Sequence, residues 1–149
     1  MIIRKVAVED LQREPNLAAL LSGYADEAKI ADLPEHRPNW VSYANMERLG
    51  ILHIFAAYSA DELVGFISIL STVVPHYAER VASTESFYVH PDHRKGGTGR
   101  KLIAAAEECA KGTGAVALFV SAPHRGRLES VLPSFGFKRT NTVFFRSLA

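Results

Sequence analysis

Cysteine is almost missing from this sequence, in which Cys109 stands alone among 149 residues. A single cysteine excludes an internal disulfide framework and a cysteine-rich zinc site, and it indicates a reducing compartment. No apolar run approaches the roughly 18 residues that a membrane span requires. Near the N-terminus, Glu9 and Asp10 interrupt the chain before a signal-peptide core could form. We therefore expect a cytoplasmic protein that does not enter membranes.

A surplus of charge of either sign is also missing. The 17 lysines and arginines are nearly balanced by 16 aspartates and glutamates, which gives a net charge of +1 at pH 7. Such a balance creates no overall field for nucleic acid or anionic lipid, so any anion site must be local. Hydrophobic residues make up 48% of the chain and charged residues 22%, which is typical of a globular protein rather than a disordered one. The length suits one domain spanning residues 1–149.

Hydrophobic periodicity predicts a mixed α/β protein with the element order β-α-α-β-β-β-α-β-α-β. The predicted strands before the loop at residue 91 are Ile2–Val8, Ile51–Tyr58, Leu63–Val74 and Thr84–His90, with a break at Pro75–Ser83. Later strands are predicted at Ala115–Ser121, buried on both faces, and once or twice within Phe137–Ser147. The predicted helical stretches are Glu9–Gly23 (begun or kinked at Pro15), Tyr24–Leu49, Thr98–Lys111 and Gly126–Ser134.

A basic, glycine-bearing loop, Arg94–Arg100, joins a predicted strand to a predicted helix. Glycines let the backbone approach a ligand closely, and the first N–H groups of a helix point outward from its positive dipole end. Arg94, Lys95 and Arg100 add mobile positive charge. The loop therefore predicts a phosphate or pyrophosphate cradle, although a solvated basic turn would have the same composition. It lacks the Gly-Lys-Ser/Thr of the nucleotide-triphosphate loop, and Leu102 occupies the third glycine position of the dinucleotide fingerprint.

The pattern Arg94-x-x-Gly97-x-Gly99, directly after the strand that ends at Pro91, resembles the acyl-CoA-binding signature of the GNAT family of N-acetyltransferases. The resemblance covers nearly the whole chain and includes the glycine–phenylalanine pair in Ser134–Phe137. It implies a fold with a mixed, mostly antiparallel sheet that is splayed at the cofactor site and flanked by about four helices. It also implies transfer of an acetyl group from acetyl-CoA, by direct attack in a ternary complex, to a primary amine of a small molecule or protein.

The resemblance implies roles for individual residues around the cofactor. The backbone of Phe87, Tyr88 and Val89 would pair with the pantetheine arm as if it were an added strand. The Val89 N–H would donate to the thioester oxygen as that oxygen gains negative charge. The CoA pyrophosphate would be held by the loop, at Arg94, Lys95, Gly96, Gly97, Thr98, Gly99 and Arg100.

Glu85 is the candidate general base. Acyl transfer needs a neutral amine, yet an alkylammonium has a reference pKa of about 10.4. Strand periodicity predicts that Glu85 shares one face with Phe87 and Val89, and a carboxylate shielded from water is a better base. In the family that the chain resembles, several members that acetylate polyamines and other amines carry a glutamate at this distance from the valine. The alternative is a structural glutamate paired with Arg80 or Arg139.

The usual general acid is absent. Many relatives place a tyrosine four residues before the glycine of the glycine–phenylalanine pair, where it protonates the departing thiolate, and this chain has Leu132 there. The thiolate could leave without an acid, or Tyr88 or Ser134 could replace the tyrosine. Leu132 also supports a second hypothesis, a non-catalytic acyl-CoA-binding or regulatory module with the same fold.

Two aromatic residues, Trp40 and Tyr43, are candidates for binding the acceptor amine. Acidic residues in the same region could add attraction for a cation; they are Asp26, Glu27, Asp32 and Glu35. Packed aromatic side chains and a solvated acidic face would explain these residues equally well.

Metal and nucleic acid are not expected as partners. His90 and His93 lie three residues apart on a loop, with Asp92 between them, but this spacing lacks the further clustered ligand that a metal site needs. The near-zero net charge and the lack of interleaved stacking aromatics argue against nucleic acid. The expected partners are acetyl-CoA and an amine acceptor, and a homodimer is one assembly that the sequence allows.

Overall fold

Five strands form one mixed sheet in the order β1-β2-β3-β4-β5 in the computed structural model, which describes all 149 residues. The strands are β1 Ile2–Val6, β2 Leu52–Ser59, β3 Glu62–Val74, β4 Glu79–Val89 and β5 Leu118–Phe119. Strands β1 to β4 pair antiparallel, and β4 pairs with β5 in parallel, so the predicted mixed and mostly antiparallel sheet is confirmed. None of the helices has the length and apolar character that crossing a membrane requires.

Five α-helices cover the two faces of the sheet. They are α1 Val8–Gln12, α2 Leu17–Ala28, α3 Trp40–Arg48, α4 Thr98–Gly112 and α5 Arg127–Val131. One apolar core lies between the sheet and helices α1 to α3, and a second lies between the sheet and α4. Helix α4 buries Leu102, Ile103, Ala106 and Ala110 on its inner face, while Ala105 and Cys109 are half-buried.

Proline separates the helices on the α1–α3 face. The predicted stretch Glu9–Gly23 consists of two helices, α1 and α2, with Pro15 between them, because proline cannot donate an intrahelical hydrogen bond. The predicted region Tyr24–Leu49 is likewise divided, and residues 29–39, which contain Pro34 and Pro38, are not helical. Helix α3 then begins where the Asn39 side chain accepts a hydrogen bond from the Ser42 N–H at 3.1 Å.

Strands β2 and β3, predicted at Ile51–Tyr58 and Leu63–Val74, pair antiparallel as a hairpin. Ala60 and Asp61 form its two-residue turn with φ angles of 48° and 65°, and this left-handed geometry suits the twist of paired strands. The predicted break at Pro75–Ser83 is too long, because β4 already begins at Glu79 and pairs with the end of β3. The 13-residue strand β3 supplies ladder partners all along this part of β4.

The C-terminal part contains less strand than the sequence predicts. Only Leu118–Phe119 of the predicted strand Ala115–Ser121 pairs with β4, and Phe119 is 43% exposed, so the expected burial on both faces is wrong. No strand forms within Phe137–Ser147, and Phe144 is 90% exposed. Alternating apolar residues alone do not form a strand, because the backbone N–H and C=O groups of a strand need a neighbouring strand as partner. No strand lies beside this segment to supply those hydrogen bonds.

The contact between β4 and the β5 segment is short, and it begins where the Val116 N–H donates to the Arg80 carbonyl at 2.9 Å. Their register contains two residue pairs, Ala82 with Leu118 and Ser83 with Phe119. Just beyond, the Ser121 N–H donates to the Thr84 hydroxyl at 3.0 Å instead of to a backbone carbonyl. The two strands then diverge, so β4 has an unpaired edge in its second half.

Candidate functional site

A groove of about 660 Å³ lies where β4 and the segment after β5 diverge. Residues 84–89 of β4 form one wall, and Ser121, Pro123 and residues of α5 form the other. Gly97, Gly99 and Arg100 line the groove at the beginning of α4. The groove therefore joins a free strand edge to a helix N-terminus.

The backbone of β4 presents alternate peptide groups to this groove. The His90 N–H donates to the Val64 carbonyl at 2.8 Å, which makes these two residues a hydrogen-bonded pair of the β3–β4 ladder. In an antiparallel ladder such pairs alternate with pairs whose N–H and C=O groups point away from the partner strand. Phe87 and Val89 belong to the second kind, so their N–H groups point into the groove. An extended ligand could pair with this edge as an additional strand.

The beginning of α4 has the geometry of an anion cradle. Gly96 and Gly97 have φ angles of 103° and 82°, a left-handed conformation that a residue with a Cβ rarely adopts. Gly97 is the N-cap and offers no side-chain oxygen, so the first N–H groups of the helix have no capping partner. Thr98 is 2% exposed and does not line the groove, unlike Gly97, Gly99 and Arg100. The cradle that the loop predicts thus has uncapped N–H donors beside the groove.

The side chain of Arg94 is held in place, contrary to the prediction that it adds mobile charge. Its Nε donates to the Val89 carbonyl at 2.8 Å, and its Nη2 donates to the carboxylate of Glu27 on α2. Its guanidinium also lies 5.5 Å from the centre of the Tyr88 ring. Arg94 therefore ties the end of β4 to α2, while Lys95 and other exposed cations of the loop stay free to reach an anion.

Glu85 occupies a β-bulge. Ser68 pairs with Ser86 and Ile69 pairs with Thr84, so Glu85 is an extra residue with no partner of its own in β3. The bulge turns its side chain to the α1–α3 face, whereas Phe87 and Val89 pack on the α4 side. The prediction that these three side chains share one face is therefore wrong, because strict alternation along β4 ends at the bulge.

Both carboxylate oxygens of Glu85 accept a hydrogen bond. The Tyr43 hydroxyl donates to Oε1 at 2.6 Å, and the Ser68 hydroxyl donates to Oε2 at 2.8 Å. Because the single hydroxyl hydrogen of Ser68 is used in this bond, the Ser86 hydroxyl, 2.7 Å away, must donate to Ser68. Two hydroxyls from different elements thus fix the orientation of the carboxylate.

Neither Arg80 nor Arg139, the alternative structural partners of Glu85, contacts its carboxylate. Arg80 donates to the backbone carbonyl of Ser71 at 2.9 Å, and Arg139 pairs with Glu129 at 2.6 Å. Glu85 is therefore free of a cationic partner within the protein.

A second, smaller space, which we name the inner cavity, lies between Glu85 and helices α1 to α3, with a volume of about 40 Å³. Trp40 and Tyr43 line it, and their ring centres are 5.6 Å apart. Its full lining is Leu11, Leu21, Pro38, Trp40, Tyr43, Ile54, Phe66, Ser68, Glu85 and Ser86. Because Glu85 and Ser86 also line the groove, the two spaces meet at these residues.

Burial and the Glu85 charge together keep the neighbouring phenols neutral. Burial raises the pKa of Tyr43, and the hydrogen bond to Glu85 raises it further. Burial also raises the pKa of Tyr24, with a smaller contribution from Glu85. Among the acidic residues proposed for acceptor binding, Glu27 lines the groove, and Asp26, Asp32 and Glu35 line neither space.

Sequence reasoning missed Ser68, which is 3% exposed in an otherwise apolar part of β3. A lone serine among isoleucines was the available signal, since a buried hydroxyl needs a partner. The two candidate acids have other contacts: Ser134 donates to the Val131 carbonyl at 2.6 Å, and the Tyr88 hydroxyl packs against Gly23. Leu132 is buried in the core beside α4.

No group of three or more histidine, cysteine, aspartate or glutamate side chains is arranged to hold a metal ion. His90 and His93 contact each other instead, with ring centres 6.0 Å apart, and the His90 Nδ1 accepts from the Asp92 N–H at 3.3 Å.

Comparison with known proteins places this geometry in context. The family model described as "Acetyltransferase (GNAT) family" matches residues 12–137. No protein of curated function matches the sequence. A ribosomal-protein-alanine N-acetyltransferase from Brucella melitensis biovar Abortus 2308 has a similar structure, with a TM-score of 0.71 and 20% identity over 98% of each chain.

Two aminoglycoside acetyltransferases have similar structures as well. One, from an uncultured soil metagenomic sample and in complex with sisomicin, gives a TM-score of 0.72 and 17% identity over 99% of this chain and 96% of its own. The other, AAC(6')-Iy in complex with CoA, gives a TM-score of 0.75 and 19% identity over 97% of this chain and 92% of its own. At these identities the resemblance shows a shared fold.

Proposed function

Because the chain belongs to the GNAT family of acetyltransferases, we propose that it transfers an acetyl group from acetyl-CoA to a primary amine by direct attack in a ternary complex. One observation carries the proposal. The Glu85 carboxylate has no cationic partner and lies where the groove along β4 meets the inner cavity. The two substrates can therefore approach it from different sides.

The groove supplies what the CoA part of the substrate requires. The uncapped N–H groups of the segment Lys95–Arg100 would bind the pyrophosphate, with the exposed Lys95 and Arg100 side chains adding charge. The outward peptide groups of Phe87 and Val89 would bind the pantetheine arm as a strand-like partner. The neighbour solved with CoA supports a nucleotide-thiol ligand for this fold.

The chain offers two groups for the chemical step. The amine nitrogen forms a bond to the thioester carbonyl carbon, and the Val89 N–H would donate to the oxygen that becomes negative. Glu85 would accept the proton that the nitrogen loses, and the carbon–sulfur bond then breaks to release the thiolate. Four residues of strand span about 13 Å, so Glu85 would accept the proton through intervening water rather than by direct contact, while Val89 serves the oxygen.

The thiolate needs no assigned acid in this scheme. A thiol has a reference pKa of about 8.5, so its anion is an adequate leaving group near neutral pH. Leu132 supports a second candidate function, a non-catalytic acyl-CoA-binding module, because it offers no hydroxyl in the core beside α4.

Release of CoA thiol from acetyl-CoA, measured across a panel of primary amines, tests the two candidates. Amine-dependent release that also requires Glu85 would support the transferase. Tight acetyl-CoA binding in calorimetry, without thiol release for any amine, would support the binding module. Absence of acetyl-CoA binding would contradict both.

A further inference from the structure

We infer that the acceptor is a primary amine carried on a short aliphatic group of about three carbons, rather than a polycationic amine. The inference rests on the proposed transferase function and names its substrate class. Its basis is the chemistry of the inner cavity, in which six of ten lining residues are hydrophobic and Glu85 is the lone carboxylate. A cavity with one carboxylate and a mostly apolar lining suits a single amine or ammonium group attached to an aliphatic chain.

The size of the inner cavity limits what can enter it. One ordered water needs about 10–15 Å³ of such volume, so about 40 Å³ holds roughly three water-sized groups. A methyl or methylene group is close to a water molecule in size. The cavity therefore suits a chain of about three carbons, whereas an amino-sugar ring is larger than this space.

The charges around the cavity argue against a substrate with several ammonium groups. No acidic side chain other than Glu85 lines the inner cavity. Glu14 and Glu47 line neither space, and Glu27, which lines the groove, is bound by Arg94. A second ammonium group would meet apolar side chains without a compensating charge, which is unfavourable.

The junction of the two spaces sets the orientation of the acceptor. Glu85 and Ser86 line both spaces, so an amine at this point has the groove on one side and the inner cavity on the other. The aliphatic group then points toward Trp40. Free short-chain amines have this chemistry, and so does the α-amine of a peptide that begins with alanine or valine.

A chain-length series tests the inference with the wild-type protein. Initial rates of CoA thiol release would be measured with methylamine, ethylamine, propylamine and hexylamine. Each added buried methylene contributes about a fourfold gain, so kcat/KM should rise about fourfold per carbon up to propylamine. Hexylamine should show no further gain, because its chain exceeds the cavity. Spermidine and sisomicin should be poorer acceptors than propylamine.

Leu21→Ala enlarges the cavity and should move the best chain length toward hexylamine, a change that a loss of stability alone does not produce. Leu20→Ala is the matched control, because Leu20 is the buried neighbour on α2 that does not line the cavity. If either variant fails to fold, the wild-type series still decides the question.

The outcomes separate this inference from the function on which it rests. A higher kcat/KM for spermidine or sisomicin than for propylamine, or a kcat/KM that does not change with chain length, would overturn the inference. Either result would leave the proposed transferase function standing. Acetyl-CoA binding without turnover of any amine would overturn both. A second experiment uses peptides that begin with alanine or valine. A higher kcat/KM for these peptides than for propylamine would identify a protein N-terminus as the source of the aliphatic amine. A higher kcat/KM for propylamine would identify a free amine.

Discussion

Replacing Glu85 with glutamine is the most informative single perturbation of the site. The substitution keeps the size of the side chain but removes its ability to accept a proton from the amine. In the structure both carboxylate oxygens accept from hydroxyl donors, Tyr43 at 2.6 Å and Ser68 at 2.8 Å. The amide group of glutamine has only one acceptor oxygen, so one of these two hydroxyls must turn away.

Two effects of different size follow from this geometry. Loss of a general base typically lowers the rate by about 10²–10⁴-fold, equivalent to about 3–5 kcal/mol of transition-state stabilisation. Loss of one hydrogen bond to a charged group lowers the free energy of unfolding by about 1.5–3 kcal/mol. We therefore expect Glu85→Gln to reduce kcat strongly and stability moderately, while acetyl-CoA affinity stays near the wild-type value.

Steady-state kinetics, calorimetric titration with acetyl-CoA and urea denaturation measure the three quantities separately. Ser68→Ala is the companion variant, since it keeps the carboxylate but removes one of its donors, and we expect a smaller loss of kcat. Ser71→Ala is the matched control, because Ser71 is also a buried serine of β3 but its hydroxyl bonds to Thr113, away from the site. It should leave kcat unchanged.

The result that would refute the reasoning is a Glu85→Gln variant with near-wild-type kcat and an unchanged pH–rate profile. Glu85 would then be a structural acceptor for the two hydroxyls, and the amine would have to reach the site already neutral.

Three further predictions concern the cradle, the inner cavity and alkaline pH. Gly97→Val forces a β-branched residue to a φ of 82°, so the cradle should lose at least one hydrogen bond to the ligand. Calorimetry should then show acetyl-CoA affinity weakened about tenfold or more. Gly50→Val is the control, because Gly50 has a similar φ of 73° but does not line the groove, and it should leave the affinity unchanged. Trp40→Ala should raise the KM of propylamine more than that of acetyl-CoA, and equal rises with a lower Tm would indicate core packing instead. Burial raises the folded-state pKa of Tyr43 above its unfolded value of 10.0, so the contribution of this phenol to stability is complete below pH 10.0 and is lost as the pH rises further. The free energy of unfolding, measured by urea denaturation, should therefore fall less steeply at alkaline pH for Tyr43→Phe than for the wild type. Identical slopes would contradict the burial argument.

The sequence predicted the main elements because their signals are local. The turn at Ala60 and Asp61 and the amphipathic helix α4 each depend on residues close together in the chain. An anion cradle could be expected from the loop before α4, since glycines and a helix start suffice for one. These features need no knowledge of distant contacts.

The surroundings of Glu85 could not be read in the same way. Its direction depends on the register between β3 and β4, and a single extra residue reverses it. One partner of Arg94, Glu27 on α2, likewise lies 67 residues away in the chain. Such contacts are products of tertiary packing, and no local pattern records them.

The alternation of peptide groups along β4 has a consequence for amide hydrogen exchange. Ser86 and Tyr88 direct their N–H groups to β3, so their hydrogens should exchange slowly, as those of a sheet interior do. Phe87 and Val89 direct theirs into the groove, and in the free protein they should exchange faster than their immediate neighbours. A ligand that pairs with this edge would remove the alternation and protect all four amides together.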